Sequence, residues 1–264
     1  MKLQKRFVLP ISGLALCAMA LMASASQTAS APIRVLGIDT GSSWDYEIVP
    51  FLSGITFTEV TTEEFLTVRL NRYDVLLQSE TFRDGAVLIP AQETLTVLNA
   101  RKGDIERWIR RGCGVIALAE PIGIGRFSWL PDAIQPVVGP QISDDSVTVV
   151  DFAHPVTAGL IDAELSGWGI SSHGFFVSPG GFSTLVTDGG LRPITLAATH
   201  GEGRVVITDQ DPDFHNFVNP RPGRQYVQFV QNAIDWVAKA RGNSRWTGST
   251  PSPPFGSCQA PAGR

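Results

Sequence analysis

Four short, nearly continuous apolar runs constrain this chain most: residues 33–39, 57–60, 73–79 and 114–119. A strand that is apolar on both sides needs cover on both faces, which is the condition of a parallel sheet sandwiched between helices rather than of an antiparallel sheet with one wet face. The intervening chain supplies such cover. Residues 44–52 carry apolar side chains at helical spacing. Residues 91–111 place Leu95, Leu98, Ile105, Trp108 and Ile109 on or near one face and close in Arg110-Arg111-Gly112, basic residues followed by Gly as at a helix C-terminus. The first half therefore reads β-α-β-β-α-β. From Pro121 onward Gly and Pro become frequent and the apolar runs shorten, at residues 146–150, 183–186, 194–198 and 204–208. The last two flank Gly201-Glu202-Gly203 and read as a hairpin. Residues 226–240 form an amphipathic helix through Val227, Val230, Ile234, Trp236 and Val237. The expectation is an α/β domain over residues 32–240, with a mostly parallel sheet, helices on both faces and a β-rich insertion in its second half. Residues 241–264, rich in Pro, Gly and Ser, read as a disordered tail.

The chain begins with Lys2, Lys5 and Arg6, followed by the apolar stretch 7–22 and Ala23-Ser24-Ala25. That pattern reads as a secretory signal cut after Ala25, because the apolar stretch is shorter than the ~20 residues that span a bilayer. A secreted or periplasmic protein without a membrane span in the mature chain follows. A formal net charge of -4 and a pI near 5.6 provide no field for nucleic acid. Export permits a disulfide between Cys113 and Cys258, while the place of Cys113 at the start of an apolar strand equally suits a structural buried thiol.

In open α/β sheets ligands gather outside the carboxyl ends of the strands. Four runs end there in carboxylates: Asp39, Glu80, Glu120, and Asp209 with Asp211. If they converge, repulsion would raise pKa values or recruit a cation. Asp39, Glu80, Asp209 and the nearby Trp44 are the expected ligand-binding residues. Glu120 is a candidate acid–base group, and His173, in a polar Ser171-Ser172-His173-Gly174 loop, could join it as base or ligand. The run Asp209-Gln210-Asp211-Pro212-Asp213 followed by His215 offers oxygen and nitrogen ligands for a divalent cation, with Asp209, Asp211 and His215 the expected ligands. The bland reading stands beside each: Asp39 ahead of Thr40-Gly41 also suits a turn, His154 ahead of Pro155 suits a backbone hydrogen bond, and His200 suits an exposed hairpin turn. Trp129, Trp168, Phe175 and Phe176 lie in or near loops, where rings hold sugars or fill space under the chain.

Several segments together resemble the class I glutamine amidotransferase-like superfamily, in particular its trehalose-utilisation-like and exported members. They are Y-D-V-L-L at 73–77, R-R-G-C-G-V-I-A-L at 110–118, H-P-V-T-A-G-L at 154–160, G-E-G-R-V-V-I-T at 201–208 and N-A-I-D-W at 232–236. The resemblance implies a flavodoxin-like sheet. It also implies a nucleophilic Cys in the turn after the central strand, yet that turn reads Ala119-Glu120-Pro121-Ile122-Gly123, with no Cys, Ser or Thr. A thioester mechanism cannot be carried over. The implied function is an exported, non-catalytic domain that binds a small ligand, a glycan or an exported protein partner at the crevice of the sheet. The alternative is a hydrolase or sugar-modifying enzyme using an acidic, metal-assisted crevice.

Overall fold

A computed structural model describes residues 31–41, 45–79, 89–118, 127–167, 171–213 and 224–238. Its elements are β1 (Ile33–Ile38), β2 (Ile55–Val60), α1 (Thr62–Phe65), β3 (Val75–Gln78), α2 (Ile89–Ala100), α3 (Lys102–Arg110), β4 (Gly114–Leu118), β5 (Val137–Val138), β6 (Val147–Val149), α4 (Asp162–Leu165), β7 (Phe176–Ser178), β8 (Ser183–Asp188), β9 (Pro193–His200), β10 (Gly203–Thr208) and α5 (Arg224–Ala238). Eight strands form one sheet in the order β2-β1-β3-β4-β10-β9-β8-β6, and β5 pairs with β7 in a separate ribbon.

The sheet is mixed. β2, β1, β3, β4 and β10 are mutually parallel, whereas β9, β8 and β6 add to β10 by antiparallel pairing. The β-rich part falls in sequence between the neighbouring strands β4 and β10: β6, β8 and β9 extend the main sheet beyond β10, to which the tight β9–β10 turn joins them, while β5 and β7 stand apart.

Alternate residues of the central strands feed two cores. Leu36, Leu76, Val115, Ala117, Val205 and Ile207 pack with Leu98, Ile105, Trp108 and Ile109 of α2 and α3. Val35, Val75, Leu77, Ile116, Leu118 and Val206 pack on the other face with Phe229, Val230, Ile234 and Val237 of α5. Each such aliphatic side chain contributes about 1.5–3 kcal/mol on burial, so the two faces, and not local propensity, hold these short strands.

Two helical expectations are corrected. Residues 45–51 form turns and a single 3-10 turn at Val49–Phe51, because Tyr46 takes the left-handed backbone conformation at φ 60° and interrupts any right-handed helix. The stretch 91–111 is two helices that meet at Arg101. The Arg101 guanidinium donates to the Phe65 and Val68 carbonyls at 2.7 and 2.8 Å and lies over the Phe65 ring, so the break serves the junction with α1. His200 is also corrected: it ends β9 nearly buried, its ring 3.3 Å from Glu106 of α3. Trp129 and Phe176 are buried in the first core, Phe176 as the first residue of β7. Among the described residues no helix is long and apolar enough to cross a membrane.

Candidate functional site

From β1 the chain moves outward to β2, and then returns to place β3 on the opposite side of β1. Such a reversal is where open α/β sheets form a ligand crevice, here at the carboxyl ends of β1 and β3. Tyr46 spans that edge. The Ile38 amide donates to the Tyr46 hydroxyl at 2.7 Å, and that hydroxyl faces the Ile38 and Leu77 carbonyls at 2.9 and 3.2 Å, so one side chain joins the ends of both strands. Burial and the nearby Asp45 charge push the Tyr46 phenol well above its ordinary pKa, which keeps it neutral. Tyr46→Phe would strand a buried amide. An expected loss of about 1–2 kcal/mol in urea-measured unfolding free energy follows, with the sheet otherwise intact.

The chain after β10, Thr208 to Asp213, runs buried into the same region. It is pinned along its length: Asp209 donates its amide to Ile194 at 2.8 Å, Gln210 donates its amide to the Thr208 hydroxyl at 3.1 Å, and the Thr195 hydroxyl lies 2.8 Å from that of Thr208. The Ser79 hydroxyl, just past β3, donates to Asp213 at 2.5 Å. Asp213 is fully buried, and its carboxyl is pushed up to about 7 by that burial, against the Ser79 hydrogen bond and with further upward pressure from Asp45 and Asp211. The His173 amide donates to the Asp209 carbonyl at 3.2 Å, and its Nε2 stands 3.1 Å from the Asp211 carboxylate. The loops after β1, β3 and β10 and the loop before β7 are thus tied into one network.

A second acidic group lies at the outer side of the crevice. Among the described residues, Asp39, Asp45 and Glu59 bring one carboxylate oxygen each within 4.8 Å of one another, the spacing that a divalent cation could bridge. Asp45 accepts from the Thr40 amide at 2.9 Å and from its hydroxyl at 2.5 Å, and Asp39 accepts from the Gly41 amide at 2.7 Å in a local turn. Partial burial, followed by the Asp39 charge, raises Glu59. Since Asp45 also acts on Asp213, the two acidic groups are electrostatically continuous.

The expected residues are distributed accordingly. Asp209, Asp211 and His173 come together, the two aspartates buried and His173 partly so, while Asp39 is exposed in the outer group. Glu80, Glu120, Trp44, Trp168 and His215 lie outside the described residues. His154 accepts from the Val156 amide at 3.2 Å and packs edge-on against Trp236, in keeping with a backbone-bonding role. Asp213 belongs to the acidic run 209–213, although its bond to Ser79 was not foreseen. Asp45, Tyr46, Glu59 and Ser79 were not foreseen, and nothing local marks them.

No family profile and no curated protein sequence matches the chain. Among solved structures, a cytoplasmic protein of Salmonella typhimurium superposes with a TM-score of 0.52 at 13% identity, covering 78% of this chain and 98% of its own. A second Salmonella typhimurium cytoplasmic protein gives 0.51 at 12% identity, with 78% and 99% covered. A glutamine amidotransferase from Thermotoga maritima gives 0.44 at 12% identity, with 79% and 95% covered. These likenesses concern the fold. The chain has an α/β fold whose mixed sheet carries a buried acidic network at its carboxyl edge.

Proposed function

We propose that the chain is an exported amidotransferase-like domain with a flavodoxin-like parallel half, which binds a small polar ligand, a glycan or an exported protein partner at the crevice between β1 and β3 and does not turn it over. The observation that carries this reading is the joining of four loops through Tyr46, Ser79–Asp213 and His173–Asp211, which preorganises acceptor groups around one crevice. Preorganised acceptors suit a ligand rich in hydroxyl or cationic groups, as in a sugar, a polyamine or a cation-bridged glycan. The missing nucleophile at residues 119–123 supports binding over glutaminase chemistry.

One observation favours the alternative, a hydrolase: a carboxyl titrating near 7 beside a His–Asp pair has the poise of an acid–base couple. The two readings separate in one experiment. Purified protein is assayed on glutamine and on 4-nitrophenyl glycosides, and in parallel screened by thermal shift against soluble oligosaccharides, polyamines and divalent cations. The binding reading expects no turnover and stabilisation by at least one ligand that is lost in Asp45→Asn. Turnover that disappears in His173→Ala and Asp211→Asn would establish the hydrolase instead.

A further inference from the structure

We propose that Cys113 is joined to Cys258, so that the C-terminal tail is fastened covalently across the amino edge of the sheet, opposite the ligand crevice. Cys113 is fully buried and disulfide-bonded, and its partner lies outside the described residues. The sequence holds two other cysteines, Cys17 and Cys258. On the exported reading proposed above, Cys17 lies in residues 1–25, the segment that reads as a cleaved signal, which leaves Cys258 as the other cysteine of the mature chain.

The geometry delivers the tail to the right place. Cys113 immediately precedes β4 at the amino edge. The last turn of α5 lies against that point: a Cβ built on Gly114 would stand 2.5 Å from Cβ of Val237. Arg204, paired with Gly114 in the sheet, donates to the Trp236 carbonyl at 2.7 Å. The chain therefore leaves Ala238 beside Cys113 and has twenty residues (258 − 238) in which to return. Such a segment reaches roughly 66 Å when extended, far beyond what closure needs. A tail of Pro, Gly and Ser buries too little apolar surface to dock by itself, so a covalent link is what would hold it.

Formation requires an oxidant of stated class. Each thiol gives up its proton, the sulfurs join, and two electrons pass by thiol–disulfide exchange to the disulfide of an exported dithiol oxidase, which is released as a dithiol. The ring then encloses every element from β4 to α5, and limits the unfolded chain over that span.

The test uses the mature protein recovered from the export compartment, alkylated without reductant and digested with trypsin. Peptides 112–126 and 246–264 are expected as one linked species that separates on reduction, with native protein resisting dithiothreitol because Cys113 is buried. Cys258→Ser is expected to lower Tm by about 10 °C, and Cys17→Ser to change neither Tm nor the linked species. Recovery of peptide 112–126 unlinked, or linked to a peptide containing Cys17, would overturn the assignment.

Discussion

The unfolding free energy of the protein is expected to fall as pH rises from about 4 to about 7, by up to about 4 kcal/mol, and Asp213→Asn is expected to remove that fall. The source is the buried Asp213 carboxyl, whose pKa lies near 7 in the fold against 3.8 for the ordinary group. Between those values the folded chain holds a proton that the unfolded chain has released. Raising the pH therefore favours the unfolded state, and the stabilisation is complete below pH ~4 and gone above pH ~7. Partly buried Glu59 acts in the same direction. His154, lowered by burial, acts in the opposite direction below its ordinary range. The difference between the wild-type and Asp213→Asn curves isolates the one group. An amide can still accept from Ser79, so the variant keeps the contact and loses only the titration. Chemical denaturation at intervals between pH 4 and 8 reads it, and parallel curves for the two proteins would show that Asp213 ionises normally.

Gly203→Ala should be the most damaging small substitution in the sheet. A Cβ at Gly203 would fall far inside contact distance of the Ile109 and Cys113 carbonyl oxygens. Neither oxygen can swing away, because one belongs to the end of α3 and the other to the entry of β4. The expected cost is about 3 kcal/mol or more, which at this chain length lowers Tm by about 6–12 °C. Gly103→Ala is the contrasting change. It sits in α3 and would meet only the Arg107 guanidinium at 3.4 Å, so the gain in helix propensity should stabilise by up to about 1 kcal/mol. Thermal unfolding of both variants distinguishes close backbone approach at Gly203 from a general intolerance of Gly replacement.

The central strands were legible because their apolar residues are continuous, and a run such as Val75 to Leu77 is buried on both faces as that pattern requires. The sheet's mixed character was less legible. Residues 183–188 and 193–200 look like strands in isolation, but only long-range pairing adds them to β10. The helix expected at 44–52 failed for a tertiary reason: the Tyr46 hydroxyl bonds to β1 and β3 backbone, and the left-handed backbone conformation of Tyr46 is part of that inward-turned loop. In the site, Asp209, Asp211 and His173 were accessible through one rule, that strand ends and their loops collect polar groups. Asp45, Ser79 and Glu59 were not, since the loop after β1, the residue past β3 and the end of β2 become neighbours of the network only when the sheet is assembled. The same distinction applies to Cys113. Its position before β4 was readable, and its bonded state is a property of the folded chain.

An amide NMR titration of the protein against neutral oligosaccharides, polyamines and calcium tests the crevice most directly. The account predicts that a bound ligand shifts amides within 38–48, 79, 171–173 and 209–213, and that Asp45→Asn weakens those shifts together. Ligand-induced shifts confined to the opposite edge, around 110–114 and 200–204, with the carboxyl-edge amides unmoved, would contradict it.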